Sequence, residues 1–90
     1  MDNKIIIESL SMDLMRVALG YHRNSIKMAD RFADEALRRI DEIDRLKVKS
    51  YFKNVLNRLY LILKNKDTDR IAEDTLMYSS ICRNYSKHYC

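Results

Sequence analysis

The sequence predicts an all-α fold, a small helical bundle of three or four amphipathic helices. Three observations lead there: ninety residues contain no proline, they contain one glycine, and apolar residues recur at helical spacing almost from end to end. So few turn-forming residues leave little room for anything but helix. Ninety residues fit one domain, read as a single helical-bundle domain over 1–90.

The apolar cluster Ile5, Ile6 and Ile7 is interrupted at once by Glu8 and Ser9, so it predicts neither a spanning helix nor a secretion signal. A cytoplasmic protein is expected, with no membrane partner. The clearest pattern begins at Met12. Met12, Met15, Leu19, His22, Ile26, Ala29, Ala33, Ala36, Ile40 and Ile43 alternate in steps of three and four, a coiled-coil-like seam with one polar member, His22. Around its first half Leu14, Val17 and Ala18 complete an apolar girdle that leaves Asp13 and Arg16 for solvent and must be covered by something.

Residues 25–45 are read as helix, with Asp34 and Arg38, Glu35 and Arg39, and Asp41 and Arg45 each spaced acid-to-base by four. Whether this helix is continuous with Met12 stays open. Gly20 to Ser25 offers a break with Asn24 and Ser25 as N-caps, whereas one glycine within a long helix is tolerated at about 1 kcal/mol. A single helix over 12–43 would reach roughly 48 Å, overhanging its neighbours and requiring a second chain. A homodimer, or a partner helix, through the seam is therefore expected.

The next helix covers 48–65, with Val48, Phe52, Val55, Leu56, Leu59, Ile62 and Leu63 on a wide apolar face. Its start near Asp44 to Lys49 is inferred from length alone. Lys64, Asn65 and Lys66 suit its C-terminus, and Asp67, Thr68 and Asp69 suit the N-terminus of the last helix. That helix carries Ile71, Thr75, Tyr78, Cys82, Tyr85 and Tyr89 on one stripe, with Ala72, Leu76 and Ile81 beside it.

Charge divides unevenly. Residues 1–45 hold eight basic and nine acidic side chains, and 46–90 hold nine and four. Lys47, Lys49, Lys53, Arg58, Lys64 and Lys66 follow one another without an acid between them. Of these, Lys49, Lys53, Arg58 and Lys64, with Tyr60 for stacking, form a candidate nucleic-acid strip whose contacts would neutralise phosphates. The competing reading is a solvated outer face.

Other chemistry is sparse. His22 has no ligand-type neighbour at metal spacing and reads as a register-setting polar residue. Asp30, Asp34 and Glu35 lie on one side of a helix without the Glu-x-x-His pair of di-metal bundles. Cys82, His88 and Cys90 do not follow zinc-site spacing, and the cysteines read as free thiols. No cofactor or metal is expected. There is no phosphate-binding glycine loop and no nucleophile–base motif.

The string Arg83-Asn84-Tyr85-Ser86-Lys87-His88, an Arg and a polar residue followed by three others and a His, resembles the RNase motif of HEPN domains, which are helical and often dimeric. The resemblance implies RNA cleavage carried by Arg83 and His88. It spans six residues, and the family's usual Tyr two positions after the His is Cys90 here. The sequence thus leaves three expectations: a non-enzymatic helix–helix interaction or structural module first, a nucleic-acid-binding protein second, a HEPN-like RNase third.

Overall fold

A computed structural model describes residues 2–66 and 70–90. Asp67, Thr68 and Asp69, the expected N-terminal signal of the last helix, lie outside the described residues. Four α-helices run up and down: α1 (Asn3–His22), α2 (Ile26–Glu42), α3 (Ser50–Asn65) and α4 (Ile71–Tyr89), with a short 3-10 turn at Arg45–Lys47. Of the described residues 87% are helical and none lies in a strand. No helix among them is long and apolar enough to cross a membrane.

α1 starts earlier than the seam suggests. Asp2 caps it, its carboxylate accepting the Lys4 N–H at 3.1 Å. The Asn3 side chain then ties this end to the α2–α3 connection, donating to the Asp44 carbonyl at 3.0 Å and accepting the Asp44 N–H at 2.9 Å.

The chain does break after Gly20, but Gly20 is not where it bends. Asn24 takes the left-handed conformation at φ 55°. Ser25 N–H donates to the Gly20 carbonyl at 2.8 Å and Asn24 N–H to the Tyr21 carbonyl at 3.2 Å, a Schellman closure with Asn24 in the place usually held by glycine. Ser25 becomes the N-cap of α2 without a side-chain bond, so Asn24 ends one helix rather than starting the next. Gly20 serves packing instead: a Cβ there would stand 2.8 Å from the Ala29 nitrogen and 2.9 Å from its Cα. The molecule is 36 Å in its longest dimension, too short for a continuous 12–43 helix.

That break resets the helical phase and splits the ten-residue seam. Ala29, Ala33, Ala36, Ile40 and Ile43 are buried as their spacing predicts. Met12, Leu19, His22 and Ile26 are exposed, and Met15 is half-buried. The core face of α1 is Ile6, Ile7, Leu10, Leu14 and Val17, a parallel stripe displaced around the helix. The heptad continued through Asn24 carried the register of α2 onto the wrong side of α1. Asp13 departs from expectation in the same way, buried at 5% exposure rather than facing solvent.

Small residues govern how closely the helices approach. α1 lies tightly along α2 at Gly20 and along α4 at Ser11, whereas α3 rests more loosely on α2 and α4. At the α1–α4 crossing the Ser11 hydroxyl donates to the Ser79 carbonyl at 2.8 Å, and the Ser79 hydroxyl donates to the Ser11 carbonyl at 2.8 Å. Each serine is thus satisfied in a buried, small-residue contact. α3 fills its side of the core with the fully buried Phe52, Leu56, Leu59 and Leu63.

Of the α4 stripe, Ile71, Thr75, Tyr78, Cys82 and Tyr85 are buried, while Tyr89 is exposed. Tyr85 stacks on Phe52 with ring centroids 3.9 Å apart, and its hydroxyl accepts the Lys49 N–H at 3.0 Å, satisfying the phenol at the edge of the core. α2 ends at Glu42, three residues before its predicted limit, because Ile43 turns extended and leads into the 3-10 turn.

Candidate functional site

The most site-like surface is a groove of about 340 Å³ between α1 and α4. Ser11, Ser79 and Ser86 bring the two backbones together at its floor. Met12 and Met15 rise on the α1 side, and Arg83 and Lys87 stand on the α4 rim with Glu8 opposite. Ile5, Met12, Met15 and Leu19 continue the α1 wall along the outside of the helix at heptad-compatible steps. Ile5 is 50% exposed, Met12 55% and Leu19 39%, so this stripe is an apolar face that the core does not use.

The sequence flagged Met12, Met15 and Leu19 but missed Ser11, Ser79 and Ser86. Their signal was present: Ala72, Ser79 and Ser86 recur every seven residues, as do Ser11 and Ala18, the pattern of small residues at a close antiparallel contact.

The basic strip is divided. On α3, Lys53, Asn57 and Lys64 fall on one side of the helix, while Arg58 lies about 100° or more around the axis and lines a pocket with Tyr51, Asn54 and Tyr78. The Lys64 ammonium sits 5.6 Å from the Tyr60 ring centre, and Lys49, at the helix start, 4.9 Å from that of Tyr89. Lys66 pairs with Asp30 across to α2 at 3.2 Å.

Arg83 and His88 are both exposed on α4. Five residues place them roughly 140° apart around the helix, and the groove that takes in Arg83 does not include His88. One chain therefore does not bring the two onto a common face. Cys82 is fully buried, its thiol pushed up to about 12 by burial, whereas Cys90 is exposed. Among the described residues no three His, Cys, Asp or Glu side chains converge as a metal site.

The ion pairs differ from those the spacing predicts. Arg38 pairs with Glu35 one turn back, Arg45 donates to the Asn57 side chain at 3.0 Å, and Arg39 reaches across to Asp13 on α1 at 3.7 Å. For Arg39 and Arg45 a partner on another helix outcompetes the weak exposed i,i+4 pair, while Arg38 takes the i,i+3 alternative on its own helix. Arg16 flanks Asp13 at 3.5 Å and lies 5.2 Å from the Phe32 ring centre.

Burial raises the Asp13 carboxyl above its ordinary value, and Arg39 and Arg16 only partly offset it. Because the folded-state value is raised, protonation favours the native state. This contribution is present at low pH and is lost as pH rises through the folded value. Replacing Asp13 by Asn is accordingly expected to leave neutral-pH stability within about 1 kcal/mol of the parent while flattening its acidic-range pH dependence. Arg39→Ala, which leaves the buried carboxylate facing Arg16 alone, is expected to lower stability by about 2 kcal/mol. Urea unfolding of both variants between pH 3 and 7 measures this, and equal losses in the two would show that Asp13 is not under desolvation.

The fold defines the class of this protein, a four-helix up-and-down bundle whose tight α1–α4 crossing is bordered by a groove. The chain matches no family model, no curated protein and no solved structure.

Proposed function

We propose that this protein is a non-enzymatic interaction module whose α1–α4 groove receives an amphipathic helix with acidic flanks. The observation that carries this reading is the second apolar stripe of α1, Ile5, Met12, Met15 and Leu19, left outside the core beside a serine-floored groove. A helix laid there would insert large apolar side chains above Ser11, Ser79 and Ser86, the helix-in-groove mode of recognition. Arg83 and Lys87 on the rim, against Glu8 alone, favour negative charge on its flank. A second copy docking by two-fold symmetry would instead set this net-positive patch against itself.

Support for nucleic-acid binding is weaker, since Arg58 faces away from Lys53 and Lys64. The probe for the favoured reading is a fluorescein-labelled peptide of three heptads with leucine at the seam and glutamate on its flanks. Anisotropy is expected to show binding on the order of 10 µM, weakened about tenfold by Met12→Glu and also weakened by Arg83→Glu, with a lysine-flanked peptide failing to bind. Light scattering is expected to give a monomer of 10.8 kDa. A dimer dispersed by Met12→Glu would make a second copy the occupant, and no peptide binding at high concentration would overturn the reading.

A further inference from the structure

α3 carries the cations Lys53, Arg58 and Lys64 and no acid, and Arg58 stands apart from the other two. Lys53 and Lys64 lie roughly 120–140° around the helix axis from it. Arg58 is on the side of α3 that meets α4, where it lines a cleft of about 420 Å³. Asn54 and Val55 border the cleft on its own helix, and Met77 and Ile81 border it from α4, with the rings of Tyr51 and Tyr78 completing the lining. The cleft is open because α3 stands off from α4. Phe52 and Tyr85 stack between the two helices, and there is no small-residue crossing like that of Ser11 and Ser79 to draw the backbones together.

Arg58 is the one charged residue in this lining, and among the described residues no acid pairs with it. Arg58 and Arg70 balance Glu73 and Asp74 over the α3–α4 face as a whole, but the charges are segregated along it. A helical side chain leans toward the N-terminus of its own helix, and α3 and α4 are antiparallel. Arg58 therefore leans toward Asn54 and Tyr51, while Glu73 and Asp74 lean toward the other end of the cleft. Asp74 accordingly borders a separate recess with Asn65 and Arg70. Both acids belong to the first turn of α4, where they offset the positive end of its dipole. Arg58 is left with apolar neighbours and one amide.

We infer that the α3–α4 cleft binds a small amphipathic carboxylate, its head on Arg58 and Asn54 and its hydrocarbon body over Val55, Met77 and Ile81. The guanidinium fork matches the two oxygens of a carboxylate, and the Asn54 amide, one turn earlier on the same helix, supplies a further donor. A phosphate dianion is the less suitable head, since a single cation neutralises half of it. Val55 and Ile81 are half-buried and Met77 is 51% exposed, so they offer an apolar strip whose unbranched thioether adapts to the chain laid on it. The cleft is independent of the α1–α4 groove, because Ser79 on that groove's floor lies roughly 160° around α4 from Met77 and Ile81.

The test is titration of the isotopically labelled full chain with sodium decanoate, followed by amide shifts in nuclear magnetic resonance, with decanol, octanoate and inorganic phosphate as the comparison probes. Decanoate is expected to give saturable shifts centred on Asn54, Val55, Arg58, Met77 and Ile81, with Kd on the order of 0.5 mM. Octanoate should bind about fivefold more weakly. Arg58→Gln, at an exposed position, should keep the fold, weaken decanoate about tenfold and remove its advantage over decanol. Lys64→Gln makes the same charge change on another side of α3 and should bind as the parent does. Absence of saturable shifts, shifts centred on Met12 and Ser79 instead, equal losses in the two variants, or phosphate binding as tightly as decanoate would each overturn the inference.

Discussion

Gly20→Ala is expected to destabilise the protein by about 3 kcal/mol, lowering Tm by roughly 10–20 °C. In an isolated helix the same change stabilises by about 1 kcal/mol, because alanine is the better helix former. Here the new methyl would stand 2.8–2.9 Å from the nitrogen, Cα and Cβ of Ala29. Those are mostly backbone atoms, with no flexible side chain to swing aside. α1 and α2 must part, and the strain extends to Ala33 and Ala36, which are buried with no exposed surface. Thermal unfolding followed by circular dichroism separates the two effects by sign. A variant with a raised Tm would show that the close approach at Ala29 does not constrain the pair.

Phe52→Ala should lower stability still further, by about 4 kcal/mol. Phe52 is fully buried near the start of α3 and stacks on Tyr85 with ring planes 14° apart. Tyr85 in turn accepts the Lys49 N–H that enters the helix, so one cavity loosens a ring stack and a helix start together. α3 has no close small-residue crossing like those of α1, and its docking depends on large side chains filling a wider gap. A total stability of roughly 5–13 kcal/mol for ninety residues makes such a loss severe. Urea denaturation gives the magnitude, and amide exchange should show α3 opening before α1. Loss spread evenly over all four helices would argue that α3 is not the weakly attached element.

The two variants mark the difference between what was legible in the residues and what was not. Phe52, Leu56, Leu59 and Leu63 show a helical apolar period, and all are buried as that period implies. Ala29, Ala33, Ala36, Ile40 and Ile43 are equally plain. Gly20 was visible only as a break, because a glycine has no side chain from which to infer what presses against it. The chain bends at Asn24, whose left-handed backbone and Schellman bonds are rarer for asparagine than for glycine.

The candidate groove was half legible. Met12, Met15 and Leu19 stood out as apolar, yet their spacing is shared by a core stripe and a surface stripe, and α1 carries one of each. Periodicity assigns residues to a face of a helix but not that face to the inside. The serines of the floor were hidden by their polarity, since hydrogen bonds between Ser11 and Ser79 make them core residues only when both helices are in place.

By itself, then, the sequence determined an all-α chain, helix over most of α2, α3 and α4, and the apolar faces of α2 and α3, while leaving open whether α2 was separate from α1. These follow from local propensity and from a period within single uninterrupted helices. Only the tertiary structure decided which stripe of α1 is buried, that Asp13 lies inside against Arg39, that Arg58 lines a cleft between α3 and α4, and where Arg83 and His88 stand. Each of these depends on contacts between residues far apart in the chain, whose pairing is settled by how closely small residues let the helices approach.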